Sequence, residues 1–104
     1  MISLSTAALE QIRHSAELGG TPSLPLRVAV KQLDDGSFHY AMGFDEQRLP
    51  GDSFFNFDGV DLVVALASKD LADGMTIDFV ELSAGKPEFI FLNPNDPEYV
   101  APTA

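Results

Sequence analysis

The sequence contains no cysteine among its 104 residues. Without a thiol the chain forms no disulfide, no thiolate zinc site and no cysteine nucleophile. It also supplies no ligand to an all-cysteine iron–sulfur cluster. This absence excludes several classes of redox and metal chemistry before any motif is considered.

Basic side chains are also scarce, because 6 lysines and arginines stand against 16 aspartates and glutamates, which gives a net charge of −10. Nucleic-acid binding depends on clustered Lys and Arg that neutralise phosphates, and the basic residues here are scattered singly. An anionic membrane surface repels such a chain. The charge therefore argues against nucleic-acid and membrane partners and favours a basic protein partner.

Long hydrophobic runs are missing as well. No apolar run approaches the roughly 18 residues of a membrane span, and no charged n-region opens the sequence. The length and the 45% of hydrophobic residues suit one globular domain. We therefore expect a cytoplasmic protein with a single domain over residues 1–95. Residues 96–104, which contain Pro97 and Pro102 and little apolar content, are predicted to form a flexible C-terminal tail.

The N-terminal segment predicts a helix. Ser5 is a suitable N-cap, and Leu9, Ile12 and Ala16 recur at helical intervals. Two glycines at positions 19–20 end the pattern. The helix is therefore expected to turn one apolar face toward the rest of the domain.

Beyond this helix the apolar pattern has a period of two. Alternation predicts strands over residues 26–31, 38–44, 54–57, 60–66, 75–82 and 88–92. Asp-Gly turns at Gly36 and Gly59 predict hairpins, and Ser68 is predicted to cap a short second helical turn that runs to Leu71. One helix and six or seven short strands favour a mainly β, α+β fold in which the strands form a small sandwich.

Several short motifs resemble a known family in their order and spacing. They are Leu-Arg-Val-Ala-Val-Lys at 26–31, Ile-Asp-Phe-Val at 77–80 and Phe-Ile-Phe-Leu-Asn-Pro-Asn at 89–95. Together with the Asp-Gly at 73–74, they resemble the HesB/IscA family of A-type iron–sulfur carriers over nearly the whole chain. The resemblance implies a compact, distorted β-sandwich with an N-terminal helix.

The resemblance also implies where the three cluster-ligating cysteines of that family would stand. They align with Asp35, Val100 and Pro102 of this chain. Valine and proline carry no ligating side-chain atom, and a hard carboxylate does not replace soft thiolates around a cluster. We therefore expect no cluster and no other cofactor. The lost cysteines and the Asn-Pro-Asn-Asp-Pro segment resemble a cysteine-less branch of the family associated with bacterial dissimilatory sulfur oxidation.

Asp35 and His39 are weak candidates for a metal site. With Asp45 or Glu46 they could hold ferrous iron through oxygen and imidazole ligands. The alternative is that Asp35 belongs to a hydrated turn and that His39 faces solvent. A triad of Ser37, His39 and Asp45 can also be drawn, but Ser37 lies in a turn without a nucleophile elbow, so we expect no hydrolase activity.

An aromatic strand supplies the candidate partner surface. Period two buries Phe55 and Phe57 and leaves Phe54 on the other face, where it is either covered or exposed for partner docking. The acidic loop residues are expected to steer a basic partner or to form a solvated rim. They are Asp45, Glu46, Asp52, Asp58 and Asp61.

These observations favour a non-enzymatic interaction or regulatory protein that has the carrier fold but no cluster. Its expected partner is a protein of the sulfur-oxidation or iron–sulfur machinery, and the protein itself is expected to be a monomer. The alternative function is iron handling through carboxylate and histidine ligands.

Overall fold

Two sheets share one hydrophobic core in the computed structural model, which describes residues 2–20 and 24–99. The elements in chain order are β1 (Ser3–Leu4), α1 (Thr6–Leu18), β2 (Leu26–Gln32), β3 (Phe38–Phe44), β4 (Ser53–Phe57), β5 (Val60–Val64), a 3-10 turn (Leu66–Ser68), β6 (Thr76–Ser83) and β7 (Lys86–Leu92).

Both sheets are mixed. The larger has the order β3-β2-β5-β4, in which β2 and β5 run parallel and the other pairs are antiparallel. The smaller has the order β1-β6-β7, with β1 parallel to β6 and β7 antiparallel to it. The predicted mainly β architecture with an N-terminal helix is confirmed.

The helix α1 begins at the predicted cap. The Ser5 hydroxyl accepts a hydrogen bond from the Ala8 N–H (3.1 Å) and donates one to Asp78 Oδ1 (2.5 Å), which ties the start of α1 to β6. The buried helical positions are Ala8, Ile12 and Ala16. Because α1 packs against β6, this stripe closes one side of the core.

The core lies between the two sheets and is built from the inward positions of their strands. The largest fully buried apolar side chains include Val28 of β2, Leu62 of β5 and Ile77 of β6, together with Met75 just before β6. Half-buried aromatic side chains surround them, namely Phe38, Tyr40, Phe44, Phe55, Phe57, Phe79, Phe89 and Phe91.

Several predicted boundaries differ from the structure. The strand predicted over residues 60–66 ends at Val64, because Leu66 starts the 3-10 turn. Ser68 is not an N-cap: it lies inside that turn, is 4% exposed, and its side chain bonds the backbone of β2. The two-residue β1 was not predicted, because period two cannot be recognised over so short a stretch.

The beginning of the predicted tail makes contacts with the domain. Asp96 accepts a hydrogen bond from the Tyr40 hydroxyl (2.7 Å), and its N–H donates to the Asn93 carbonyl (3.0 Å). Positions 100–104 lie outside the described residues, and the mobility of this segment stays a prediction. In the described part of the chain, no helix is long and apolar enough to cross a membrane.

Candidate functional site

Asp35 lies at the exposed tip of the β2–β3 hairpin, where it stabilises the turn. Its Oδ1 accepts hydrogen bonds from the Ser37 hydroxyl (2.6 Å) and the Ser37 N–H (2.9 Å). These bonds, the hydroxyl first, lower the pKa of the Asp35 carboxyl below its ordinary value. Gly36 supplies the positive φ of +88° that the turn requires. The hydrated-turn interpretation accounts for each of these contacts.

The other candidate iron ligands are not brought to this tip. His39 is exposed and pairs in register with Lys31 of β2, so a cation stands beside the imidazole. Asp45 and Glu46 follow the opposite end of β3, and a strand rise of about 3.3 Å per residue puts Asp45 roughly 20 Å from His39. Within residues 2–20 and 24–99, no group of three or more His, Asp or Glu residues is placed to hold a metal ion.

The same separation argues against the Ser37–His39–Asp45 triad that the sequence suggested. The Ser37 hydroxyl donates to Asp35, and Asp45 lies near Arg27, at 3.4 Å from its Nε. Ser37, His39 and Asp45 therefore do not form a charge-relay arrangement.

A nearly buried ion pair crosses the outer face of the larger sheet. The Arg27 guanidinium donates from Nη1 to Asp52 Oδ1 (3.0 Å) and from Nη2 to Asp52 Oδ2 (2.8 Å). Nη2 also donates to the Gln47 carbonyl (2.9 Å). The two side chains are 15% and 2% exposed. This bidentate pair fixes the loop between β3 and β4 to β2, one of the two central strands of the sheet.

The ion pair with Arg27 also changes the pKa of the Asp52 carboxyl. The Arg27 hydrogen bonds, with a further bond from the Leu49 N–H (2.8 Å), lower the pKa of the Asp52 carboxyl to about 2. Asp52 is thus an internal counter-ion, and its interpretation as a steering or rim charge is wrong.

Phe54 lies on the outer face of the same sheet and is 49% exposed. In register it stands beside Val63 of β5, which is in turn beside Arg27. The Arg48 guanidinium lies 5.3 Å from the centroid of its ring, which is cation–π distance. Phe55 is half-buried on the inner face, so the predicted alternation is confirmed. Partner docking at Phe54 stays a prediction.

The remaining acidic candidates lie on or near the surface. Asp58 is in the β4–β5 turn with a φ of +50°, and Arg13 of α1 bonds both its carbonyl oxygen and its Oδ2. The pair is exposed and contributes little to stability. Asp61 accepts a hydrogen bond from the Asn56 amide (2.9 Å). Glu46 is exposed.

The motif residues that carry the family resemblance hold the fold together. Asn93 is fully buried, and its amide donates to the Leu71 carbonyl (2.7 Å). The Asn95 amide donates to the carbonyls of Leu71 (3.1 Å) and Asp73 (2.7 Å). Asp78 Oδ1 accepts the hydrogen bond from the Ser5 hydroxyl. Val100 and Pro102 lie outside the described residues.

The sequence did not reveal the Arg27–Asp52 pair. Arg27 alternates with apolar residues in a predicted strand, and this pattern does not show that the loop residues Gln47 and Asp52 cover its side chain. The available signal was a single arginine inside a β-branched strand followed by one Pro-Gly-Asp turn, and this signal does not specify which carboxylate is the partner.

Comparison with known proteins agrees with this geometry. No family model matches the chain. It is 32% identical over 94 residues to the iron-sulfur cluster insertion protein ErpA of Xanthomonas campestris pv. campestris, covering 90% of this chain and 73% of that protein. The chain belongs to the HesB/IscA family of A-type iron–sulfur carriers.

Other relatives extend the same picture. An uncharacterized protein of the nifU 5′ region of Azotobacter vinelandii is 33% identical over 95 residues, which are 91% of this chain and 88% of that protein. The Escherichia coli SufA structure superposes with a TM-score of 0.75 at 28% identity, covering 96% of this chain and 86% of SufA. IscA with a [2Fe-2S] cluster shares the fold, with a TM-score of 0.74 at 23% identity over 90% of this chain and 86% of IscA.

Proposed function

We propose that this HesB/IscA family member is a non-enzymatic interaction or regulatory protein that uses the carrier fold without cluster chemistry. The observation that carries the proposal is the complete absence of cysteine from a chain that retains the fold. Asp78, Asn93 and Asn95 support the architecture, and no thiolate exists to hold iron and sulfide. The fold still presents a surface of defined shape to which a partner protein could bind.

The proposed setting is the cytoplasm, beside the sulfur-oxidation or iron–sulfur machinery. The lost cysteines and the Asn-Pro-Asn-Asp-Pro segment resemble DsrR, a cysteine-less relative associated with dissimilatory sulfur oxidation. ErpA is described as a cluster insertion protein, and SufA as a protein involved in the biosynthesis of iron-sulfur clusters. A partner that recognises the shared fold of such proteins would also meet this chain.

Phe54 is the proposed centre of the partner surface. An aromatic ring that is 49% exposed and stacked under an arginine offers a large contact area on a rigid strand. Asp58 in the flanking turn and Asp61 in β5 are exposed and would attract a basic partner. Asp45 and Glu46 add negative charge where the chain leaves β3.

Iron handling, the alternative function, has less support. It needs Asp35, His39 and a carboxylate from position 45 or 46 at one place, and β3 holds these groups at opposite ends. A catalytic role is similarly unsupported, because Ser37 and His39 have no assembled relay. The interaction role is therefore the one that the geometry favours.

Site-specific photocrosslinking tests the proposal. A photoreactive phenylalanine analogue is placed at position 54, and in a matched variant at the exposed Glu88 of the other sheet. Cells of a sulfur-oxidising bacterium that expresses the protein are irradiated during growth on a reduced sulfur compound. The expected result is an adduct at position 54 with a protein of the sulfur-oxidation or iron–sulfur machinery.

The controls separate docking from chance contact. The adduct should be absent at position 88 and should be displaced by an excess of the unlabelled protein. Equal labelling at both positions, or no adduct at position 54, would contradict the proposed surface. An adduct with a protein unrelated to sulfur or iron–sulfur metabolism would contradict the proposed setting.

A further inference from the structure

The edge strand β3 lacks the devices that normally protect a sheet edge. Its seven residues, Phe-His-Tyr-Ala-Met-Gly-Phe, contain no lysine, proline or acidic side chain. By contrast, β7 begins with Lys86, Pro87 and Glu88, and its pairing with β6 is irregular near position 82. Natural edges without charge, proline or a bulge are competent to add another strand.

The register shows which backbone groups of β3 face outward. The hydrogen bonds from Leu33 N–H to Ser37 and from Asp45 N–H to Pro25 mark the flanking pairs as hydrogen-bonded. Alternation then directs the odd-numbered residues of β3 toward β2. The outward N–H and C=O groups belong to Phe38, Tyr40, Met42 and Phe44.

No described residue occupies this edge. In the described ranges, none of the backbone hydrogen bonds outside regular helices and strands reaches residues 38, 40, 42 or 44. The Tyr40 hydroxyl bonds Asp96, but this contact engages the side chain and leaves the main chain unpaired. Four donor–acceptor positions are thus available in a row, about the length of a short added strand.

The side chains beside the edge leave room for large neighbours. Ala41 and Gly43 of β3 and Ala29 of β2 line a shallow groove of about 240 Å³ on the outer face, closed at one end by Arg27 and Asp45. A strand added next to β3 would place alternate side chains against this groove. The groove therefore favours β-branched or longer side chains in the added strand.

Charge defines the ends of the edge. Asp34 and Asp35 precede β3, and Asp45 and Glu46 follow it, while the strand itself contains no Lys, Arg, Asp or Glu. Lys31 and Arg27 of β2 are the nearby cations on the outer face, and Arg27 is already paired with Asp52 and Asp45. An added segment with basic residues at both ends would meet carboxylates at both ends.

We propose that the edge of β3 binds an extended segment of a partner protein by strand addition, and that this segment has an apolar centre flanked by Lys or Arg. This goes beyond the proposed function, because β3 and the Phe54-bearing β4 are opposite edges of the sheet. A second copy of the chain fits poorly. Antiparallel self-pairing centred on Ala41 would place Asp45 and Glu46 opposite Ser37 and Gly36 of the other chain, diagonally next to its Asp35 and Asp34.

Amide hydrogen exchange measured by NMR tests the proposal on the full chain. The probe is a capped peptide of about nine residues, Val-Thr-Val-Thr-Val between two pairs of lysines, and the matched peptide has glutamates in place of the lysines. With the lysine peptide at about 1 mM, exchange of the Phe38, Tyr40, Met42 and Phe44 amides should slow by about tenfold or more. The Ala41 amide, already bonded to β2, should change little.

Two sets of variants check the mechanism. Met42→Pro removes one outward N–H without breaking a bond to β2 and should abolish peptide binding, whereas Met42→Ala keeps that N–H and should bind. Asp34→Asn with Glu46→Gln alters two exposed carboxylates and should weaken binding by about two- to tenfold. Circular dichroism confirms that each variant is folded.

The outcomes distinguish this edge from the Phe54 surface. Phe54→Ala should bind the lysine peptide as the unsubstituted chain does, even if position 54 gives no crosslink in cells. Absence of protection at the four outward amides would overturn the proposal. Equal binding of the glutamate peptide, or protection confined to residues outside β3, would overturn it as well.

Discussion

The Ser68 side chain continues the sheet where β5 stops. Its hydroxyl accepts a hydrogen bond from the Val30 N–H (3.0 Å) and donates one to the Val30 carbonyl (3.1 Å). Strand β5 runs parallel to β2 and pairs with it only as far as Val64, which lies beside Val28. Val30 therefore has no strand beside it on that side. One hydroxyl thus satisfies two buried backbone groups that β5 does not reach.

Replacing this hydroxyl is therefore expected to be costly. Ser68→Ala leaves the Val30 N–H and C=O unpaired in a buried place, so the free energy of unfolding should fall by about 1–3 kcal/mol. Urea denaturation at neutral pH measures the change. Ser83→Ala, at an exposed position of β6, is the matched control and should stay within about 0.5 kcal/mol of the unsubstituted chain.

The Arg27–Asp52 pair predicts how stability depends on acid. The folded pKa of Asp52, about 2, lies below its ordinary value of 3.8. The folded state therefore binds fewer protons at this site than the unfolded state, and the stabilisation is present above pH 4 and is lost as the pH falls toward 2. Asp52→Asn should destabilise the protein at pH 7. The difference in free energy of unfolding between the variant and the unsubstituted protein should shrink as the pH falls from 4 to 2.

Urea midpoints measured at several pH values provide this comparison. Asp58→Asn is the control, because Asp58 is 84% exposed and its ion pair with Arg13 is solvated. The free energy of unfolding of Asp58→Asn should differ from that of the unsubstituted protein by a constant amount between pH 4 and 2. A constant difference for Asp52→Asn down to pH 2 would show that Arg27 does not hold the carboxylate ionised.

Local pattern predicted most of the elements because each carries its own signal. The Ser5 cap, the period-two strands and the Asp-Gly turns depend on neighbouring residues only, and these appear close to their expected places. Ser68 shows the limit of such reasoning. A serine before a short helical stretch resembles a cap, and only the spatial approach of β2, 38 residues away, reveals what its hydroxyl bonds.

The site could be predicted less well for the same physical reason. Asp35, His39 and Asp45 are close in sequence, yet an extended strand separates His39 from Asp45 by roughly 20 Å. The alternation of β4 correctly predicted that Phe54 and Phe55 lie on opposite faces of the sheet. It did not show whether another part of the chain covers the Phe54 ring. Asp52 was misinterpreted because its partner, Arg27, comes from a different hairpin.

Restoring the family's ligands gives a direct test of the alignment. Anaerobic incubation with iron and sulfide should leave the unsubstituted protein colourless, because it has no thiolate. A variant with Asp35→Cys, Val100→Cys and Pro102→Cys should develop the absorption of an iron–sulfur cluster, with acid-labile sulfide in proportion. Asp35→Cys alone is the control and should stay colourless. A brown unsubstituted protein would refute the loss of cluster chemistry.

The oligomeric state follows from charge and from the edge of β3. The resemblance to A-type carriers implies association through cysteines that share a cluster between chains, and this chain has no cysteine. Its net charge of −10 opposes close approach, by an amount that falls as salt shortens the Debye length to about 8 Å. Antiparallel self-pairing through β3 would also bring Asp45 and Glu46 of one chain near Asp34 and Asp35 of the other.

We therefore expect a monomer in sedimentation experiments at micromolar concentration, at both low and physiological salt. The counter-argument is the exposed Phe54, whose ring could associate with that of a second copy. Because Arg48 already covers one face of that ring, stacking of two copies would have to displace the guanidinium or bring two cations together. A dimer that persists at low salt and dissociates in Phe54→Ala would show that this aromatic contact outweighs the charge. A dimer unaffected by that substitution would instead place the interface elsewhere.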